Sequence, residues 1–270
     1  MPLWTWTERS SGAILSLSHA VKRALESLRD AGVTVAIVTG RNMGELISFR
    51  RELPWIRYFV VSNGTTALDA ERDLIFYEQY LPLDTARKIE RETRKYSVMT
   101  EVYADGVSYV NRDCWEHSER YTRENLHHPS LAAGRAPVES ISEPLERRES
   151  DIEKFHILFE HKEDIPALIS FCLRFDIDYV LSIHDGLEIT RRGVEKGSGL
   201  QALCDYLHIP PEKTAAVGDG MADIAMFQRA GLSIAMENAQ ENVRKSASLV
   251  APHHDCDGAV WALEQILNAR

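Results

Sequence analysis

The chain reads as an α/β protein whose parallel-sheet core is interrupted by an inserted α+β domain. Two observations predict this. Short apolar runs at 33–38, 58–61, 215–217 and 232–235 alternate with helical periods towards both ends of the chain, which is the rhythm of parallel strands joined by right-handed crossovers. Between 83 and 183 that rhythm gives way to helices mixed with a hairpin.

Val21, Ala24, Leu25 and Leu28 follow helical spacing, with Ser18 as a cap and Gly32 just past the end. The run 33–38 is apolar and β-branched, as a strand covered on both faces must be, and Thr39-Gly40-Arg41 breaks it. A helix through Leu46 and Ile47 runs up to Pro54, 58–61 is the next buried strand, Ser62-Asn63-Gly64 ends it, and 68–77 forms a hairpin. The inserted domain opens on an amphipathic helix at 84–96. A hairpin follows at 98–103 and 107–110 around Ala104-Asp105-Gly106, residues that tolerate its turn. Then come a helix at 119–126, a Pro-, Ser-, Glu- and Arg-rich loop at 131–150, a strand at 155–159, a helix at 165–175 and a strand at 179–183. Asp185-Gly186 turns the chain back, and the parallel rhythm resumes at Leu187-Glu188-Ile189. A helix at 196–206 leads to the strand 215–217, a helix opened by Asp223 and capped by Gly231, the strand 232–235, a helix at 243–246, a short strand at 249–250 and a closing helix at 259–267. The core domain is thus discontinuous, 1–82 plus 184–270, and 83–183 is the insertion.

Bulk properties narrow the function. With 41 acidic against 31 basic residues the net charge is -10, which argues against a nucleic-acid or anionic-membrane partner. No apolar run approaches the ~18 residues that a membrane span needs, and the N-terminus lacks a signal pattern. The four cysteines are scattered with no CxxC, as expected of reduced thiols in a cytoplasmic protein.

Chemistry concentrates at strand ends. Asp219 and Asp223 lie four residues apart where the strand 215–217 turns into a helix. Hard cations such as Mg²⁺ are held by one or two carboxylates with waters and phosphate oxygens. The same pair also suits a polar turn with a helix-capping carboxylate. Thr39, Asn63 and Lys196 fall at equivalent places, just past a buried strand or opening a helix, and parallel strands bring such ends to one sheet edge. Singly, Thr39 is a helix cap, Asn63-Gly64 a common turn and Lys196 a solvated lysine. Together a hydroxyl, an amide, an ammonium and a cation site suit a phosphoryl group. The adjacent pairs His127-His128 and His253-His254 lack the spacing to converge on one ion.

The chain resembles the haloacid dehalogenase-like phosphatases, in the Cof-like branch with a type IIB α/β cap, from about residue 18 onward. The resemblance rests on VTVAIVTGR (33–41), SNGTTALD (62–69), LEITRRGVEKGSGL (187–200), VGDGMADIAMF (217–227) and SIAMENAQENVRKSAS (233–248). It implies a Rossmann-like core and a cap domain. It implies that Thr39, with Gly40, Arg41 and Asn63, binds the substrate phosphate, that Lys196 steadies phosphate and nucleophile, and that Asn238 lies near the phosphate. Asp219 and Asp223 would hold Mg²⁺ directly or through water. The expected activity is Mg²⁺-dependent hydrolysis of a small phosphorylated metabolite such as a sugar phosphate, by a monomer or weak homodimer. The alternative is a protein that binds phosphometabolites without turnover. One departure is Ala222, where the family often has Asn before the second aspartate.

The larger departure is at the front. The family's nucleophile and its general acid come from a D-x-D-G-T motif ending the first strand, and 1–17 contains no aspartate. Trp4-Thr5-Trp6-Thr7 must be encoded TGG ACN TGG ACN, which read two bases later contains GAC, NTG, GAC: Asp, an apolar residue, Asp. Suitable codons for Glu8 to Ser11 continue as Gly-Thr-Leu-Leu. The first motif is therefore expected to be present in the gene in a shifted frame, with the frame restored between about Ser11 and Ser18 and a second shift upstream or a misplaced start; the alternative is a coincidence of codons or a divergent N-terminus.

Overall fold

The structure, a computed structural model, describes residues 3–6, 18–181 and 186–269. Contacts divide the chain into two compact units. The first takes in Met1–Gly40, Phe49–Glu78 and Glu195–Arg270, and the second Arg41–Ser48 and Gln79–Val194. The strands in chain order are β1 (Leu3–Trp6), β2 (Thr34–Val38), β3 (Tyr58–Val61), β4 (Thr66–Asp69), β5 (Leu74–Glu78), β6 (Val98–Ala104), β7 (Val107–Asn111), β8 (Arg135–Val138), β9 (Lys154–Phe159), β10 (Ile177–Leu181), β11 (Gly186–Arg191), β12 (Thr214–Gly218), β13 (Leu232–Met236) and β14 (Leu249–Ala251).

The sheet of the first unit runs β14-β13-β12-β1-β2-β3-β4-β5. It is parallel from β14 to β3, and β4 and β5 add an antiparallel edge. The strand expected near 3–7 forms at Leu3–Trp6 and fills the centre, with Trp6 opposite Val217 on one side and Ile37 on the other. Residues 7–17, where the first motif would continue, lie outside the described residues, as does the turn expected at Asp185. The middle strands are apolar throughout because helices cover them. Ala36, Val38, Val60, Ala216 and Ala235 form one cluster with Leu200 and Leu203 of the Lys196–Leu207 helix and with Met226 and Phe227. Small residues on the strands leave room for that helix to lie close.

The second unit has its own sheet, β10-β11-β9-β6-β7-β8, antiparallel except for the β7–β8 pair. Strand alternation sorts its side chains. Val102, Phe155, Ile157 and Ile189 pack with Ile89 and Leu168 of the Leu83–Thr93 and Ile165–Cys172 helices. Glu101, Tyr103, Lys154, His156 and Glu188 take the alternate positions, and all but half-buried His156 are buried.

Four expectations are corrected. Leu187-Glu188-Ile189 does not resume the parallel core: it lies in β11 and pairs antiparallel with β9 and β10, so the core chain resumes only at Glu195. The helix expected at 119–126 is reduced to a 3-10 turn at Ser118–Arg120, and the Thr122 hydroxyl then accepts from the Glu124 amide at 3.1 Å, a local turn that competes with helix. The loop expected at 131–150 is largely structured, with a Pro129–Ala132 helix started by proline at its first turn, β8, and a Ser142–Arg147 helix. Gly231 does not cap the helix that follows Asp223, which ends at Phe227. It passes instead so close to Glu212 that a Cβ would overlap the Glu212 carbonyl. Among the described residues no helix is long and apolar enough to cross a membrane.

Candidate functional site

The carboxyl tips of β2, β3, β12 and β13 lie along one edge of the parallel sheet, and each carries a residue singled out above. Thr39 follows β2 and is buried. Its amide donates to the Val60 carbonyl (2.8 Å) and its carbonyl accepts from the Asn63 amide (3.0 Å), so the tips of β2 and β3 are tied together. Asn63 is buried in a turn where Ser62, Asn63 and Gly64 all have positive φ, 52°, 62° and 94°. Two non-glycine residues in succession in the left-handed region is a conformation that costs energy, on the order of 1–3 kcal/mol each, and is characteristic of functional turns.

That turn seats the next element. A Cβ on Gly64 would overlap the Glu195 carbonyl, and one on Gly199 would strike the Val60 side chain. The Lys196–Leu207 helix can therefore start directly against the β3 tip. Glu195 is its N-cap and shares a reciprocal capping arrangement with Ser198, and Arg229 braces the Glu195 carboxylate at 2.8 Å. Lys196 is the first helical residue, where a cation opposes the helix dipole, and it is 1 % exposed. Such a lysine needs a partner. Its ammonium donates to Asp223 Oδ1 at 2.6 Å, and Asp223 is as deeply buried.

The other oxygen of Asp223 closes the turn beyond β12: Oδ2 accepts from the amides of Asp219 and Gly220, both at 2.9 Å. Gly218 makes this possible, because a Cβ there would occupy the space of the Asp223 carboxylate. The result aims Asp219 off the strand tip, buried at 5 % exposure, with Asn238 beyond β13 reaching its Oδ2 at 3.4 Å. Thr39, Asn63, Lys196, Asp223, Asp219 and Asn238 thus form one run of neighbours, and Gly40 is buried next to Thr39. Arg41, the residue after Gly40, is grouped with the second unit.

The donor set suits a hard cation. Both oxygens of Asp223 serve Lys196 and the turn amides, so Asp223 would meet a metal only through water, and Asp219 is the carboxylate that could hold one directly. Among the described residues no third His, Cys, Asp or Glu joins them. One or two carboxylates with water and phosphate oxygens are what Mg²⁺ takes. Gly218, Gly64, Gly199 and Glu195 were not singled out from sequence as site residues. The Glu195-x-x-Ser198 order is the reverse of the usual Ser/Thr-x-x-Glu capping signature, so it carried no readable signal either.

Comparisons with known proteins bear on the family and the fold. The family profile described as haloacid dehalogenase-like hydrolase matches residues 14–263. Phosphatase YwpJ of Bacillus subtilis (strain 168) is 26% identical over 289 aligned positions, covering 95% of this chain and 97% of that protein. HMP-PP phosphatase of Yersinia pseudotuberculosis (serotype I, strain IP32953) is 24% identical, covering 87% and 84%. Among solved structures, a haloacid dehalogenase subclass IIB sugar phosphatase superposes with a TM-score of 0.82 at 18% identity, covering 98% of each chain. A haloacid dehalogenase-like hydrolase from B. subtilis superposes with a TM-score of 0.82 at 24% identity, covering 98% of this chain and 100% of the other.

Proposed function

The chain belongs to the haloacid dehalogenase-like hydrolases, a family of phosphatases among its relatives, and from that premise we propose that its gene encodes a Mg²⁺-dependent phosphomonoester hydrolase acting on a small phosphorylated metabolite. The observation that carries the reading is the run from Thr39 through Lys196 to Asp219 along one sheet edge. In it, Thr39 donates a hydrogen bond to a phosphate oxygen, and the Lys196 ammonium, standing at the start of a helix whose amides also favour anions, holds a second. Asp223 keeps that ammonium aimed, and Asn238 steadies Asp219. Mg²⁺ on Asp219 would supply positive charge against the phosphate oxygens.

Turnover needs a nucleophile. β1 is the strand on which the family's first motif ends, and its Trp6 stands one residue below the tips that carry Thr39 and Asp219. In the shifted frame Asp-x-Asp falls on this strand. Its first carboxylate attacks phosphorus and displaces the alcohol, and its second protonates the leaving oxygen and then takes a proton from the water that hydrolyses the aspartyl phosphate. The chain as it stands lacks both carboxylates in 1–17, which supports the second reading, a protein that binds phosphometabolites without turnover. We read it as cytoplasmic, in keeping with its four unpaired cysteines.

Phosphate release from sugar phosphates, nucleotides and flavin phosphates, with Mg²⁺ and with EDTA, separates the two. The chain rebuilt with Asp-x-Asp-Gly-Thr on β1 should release phosphate only with Mg²⁺, and the chain as it stands should not. An inert rebuilt chain across the whole panel refutes the hydrolase. Resequencing the gene tests the shifted frame independently.

A further inference from the structure

One arginine joins the two backbones that carry the Lys196–Asp223 pair. Arg229 lies two residues past the Ile224–Phe227 helix, and a single nitrogen of its guanidinium makes two bonds. Nη1 donates to Glu195 Oε1 at 2.8 Å and to the Ala225 carbonyl at 3.0 Å. Glu195 immediately precedes Lys196, and Ala225 lies two residues beyond Asp223. Gly197 leaves room for the contact: a Cβ there would stand 2.1 Å from Arg229 Nη1 and 2.4 Å from the Ala225 carbonyl oxygen. All of these residues belong to the first unit.

The arrangement answers a weakness in the helix start. Glu195 is extended, with φ -151° and ψ 167°, and stands where Ser, Thr, Asp or Asn ordinarily cap a helix. Its amide donates to Ser198 Oγ at 3.0 Å, and Ser198 Oγ donates to its carbonyl at 2.7 Å. Those bonds hold Glu195 to its own helix and do not direct that helix against the turn that bears Asp223. Lys196 carries its charge on a long flexible stem, so where its ammonium stands depends on where the helix begins. As stability the Arg229 contact adds little, because its side chain and that of Glu195 are 34 % and 45 % exposed and such pairs are screened by solvent. Its effect is on direction.

We infer that Arg229 is a positioning residue for Lys196. Two ties connect the same two segments, Lys196 to Asp223 and Arg229 to Glu195 and Ala225, and together they fix the direction of the helix start as one tie cannot. Without Arg229 the ammonium stays paired but swings with its helix, and a phosphate oxygen meets it off line. The inference rests on the reading of Lys196 as a phosphate ligand.

The test is calorimetric titration of the unaltered chain with inorganic phosphate in Mg²⁺, with Mg²⁺ alone titrated separately and amide hydrogen exchange followed in parallel. Arg229→Met should weaken phosphate binding about tenfold and speed exchange of the Gly199 amide, which donates to the Glu195 carbonyl, while 203–207 keep their protection. Mg²⁺ affinity should change by less than about twofold, because Asp223 closes the Asp219 turn through its own hydrogen bonds. Arg229→Lys should restore most of the phosphate affinity: one nitrogen makes both bonds, so an ammonium with its three donors can replace a guanidinium whose fork is not used. Glu195→Ala removes the tie from its other end and leaves the backbone bonds to Ser198; it should show the same loss and carries the test if Arg229→Met does not fold. Phosphate affinity unchanged in both variants but weakened in Thr39→Val overturns the inference and leaves the phosphate reading standing, as does an equal loss of phosphate and Mg²⁺ affinity. No phosphate binding by the unaltered chain, or none of it sensitive to Thr39→Val, overturns both.

Discussion

Lys196 and Asp223 form an ion pair of 2.6 Å in which each side chain is 1 % exposed. The lysine stands at the wrong end of its helix for a cation, and the aspartate at once holds that lysine and the turn that carries Asp219. Breaking a buried pair from one side leaves an uncompensated charge, which costs about 3–5 kcal/mol. Lys196→Met should therefore lower the unfolding free energy of the first unit, read from urea titration, by that amount, with a lower midpoint, and Asp223→Asn should do much the same. Either variant unfolding at the unaltered midpoint would show that the pair is not held in solution as it is in the structure.

Gly218 makes a different prediction. Gly218→Ala adds one methyl group where the Asp223 carboxylate sits. Overpacking of this kind costs about 1–3 kcal/mol, but the displaced carboxylate should also release the Asp219 turn. Mg²⁺ affinity, measured by calorimetry, should fall well beyond what the stability loss explains. Unchanged Mg²⁺ affinity would remove Asp223 from the support of the metal site.

The core fold was legible because its strands are covered on both faces and so read as unbroken apolar runs at 58–61 and 215–217, and as nearly apolar ones at 33–38 and 232–235. The insertion was less legible for physical reasons. β8 contains Arg135 and Pro137, residues that argue against a strand, yet it is the edge strand of its sheet, where proline is tolerated, and Arg135 is neutralised by Glu45 and Glu101 from elsewhere in the chain. Leu187-Glu188-Ile189 carries the same apolar signal in either sheet, and only its partners on β9 and β10 decide which one it joins. At the site, the residues with chemistry, Thr39, Asn63, Lys196, Asp219 and Asp223, could be named from type and position. The glycines at 64, 199 and 218 could not, because what they contribute is space between elements far apart in sequence.

Acid should unfold the second unit in a defined window. Full burial alone pushes the Glu101 carboxyl up, but the Arg135 charge and the His156 hydrogen bond outweigh it and bring it down to about 2 from an ordinary 4.5. A carboxyl that ionises more readily folded than unfolded contributes stability that is present above its unfolded value and lost as pH falls towards its folded one. The second unit should lose on the order of 3 kcal/mol between about pH 4.5 and 2. Trp115, whose ring lies 5.9 Å from the Arg135 guanidinium, is a fluorescence reporter for urea titrations across that range. Glu101→Gln should flatten the dependence; an unchanged acid slope in that variant would assign it to other groups.

The four thiols should separate by reactivity. Burial pushes the Cys172 thiol up to about 12 and the Cys204 thiol up to about 11, and Cys256 is exposed. Because the thiolate is the reactive form, Ellman's reagent at neutral pH should label Cys256 first and reach Cys172 and Cys204 only on unfolding. Rapid native labelling of Cys204 would mean that the Lys196–Leu207 helix opens far more readily than its packing implies.

The most direct test of the central claim is a crystal of the rebuilt chain soaked with Mn²⁺, an anomalous stand-in for Mg²⁺, together with tungstate as a tetrahedral oxyanion. The account predicts manganese on the Asp219 carboxylate and tungstate within hydrogen-bonding reach of both Thr39 and Lys196. Tungstate bound elsewhere, or manganese away from Asp219 while those three residues keep their places, would contradict it.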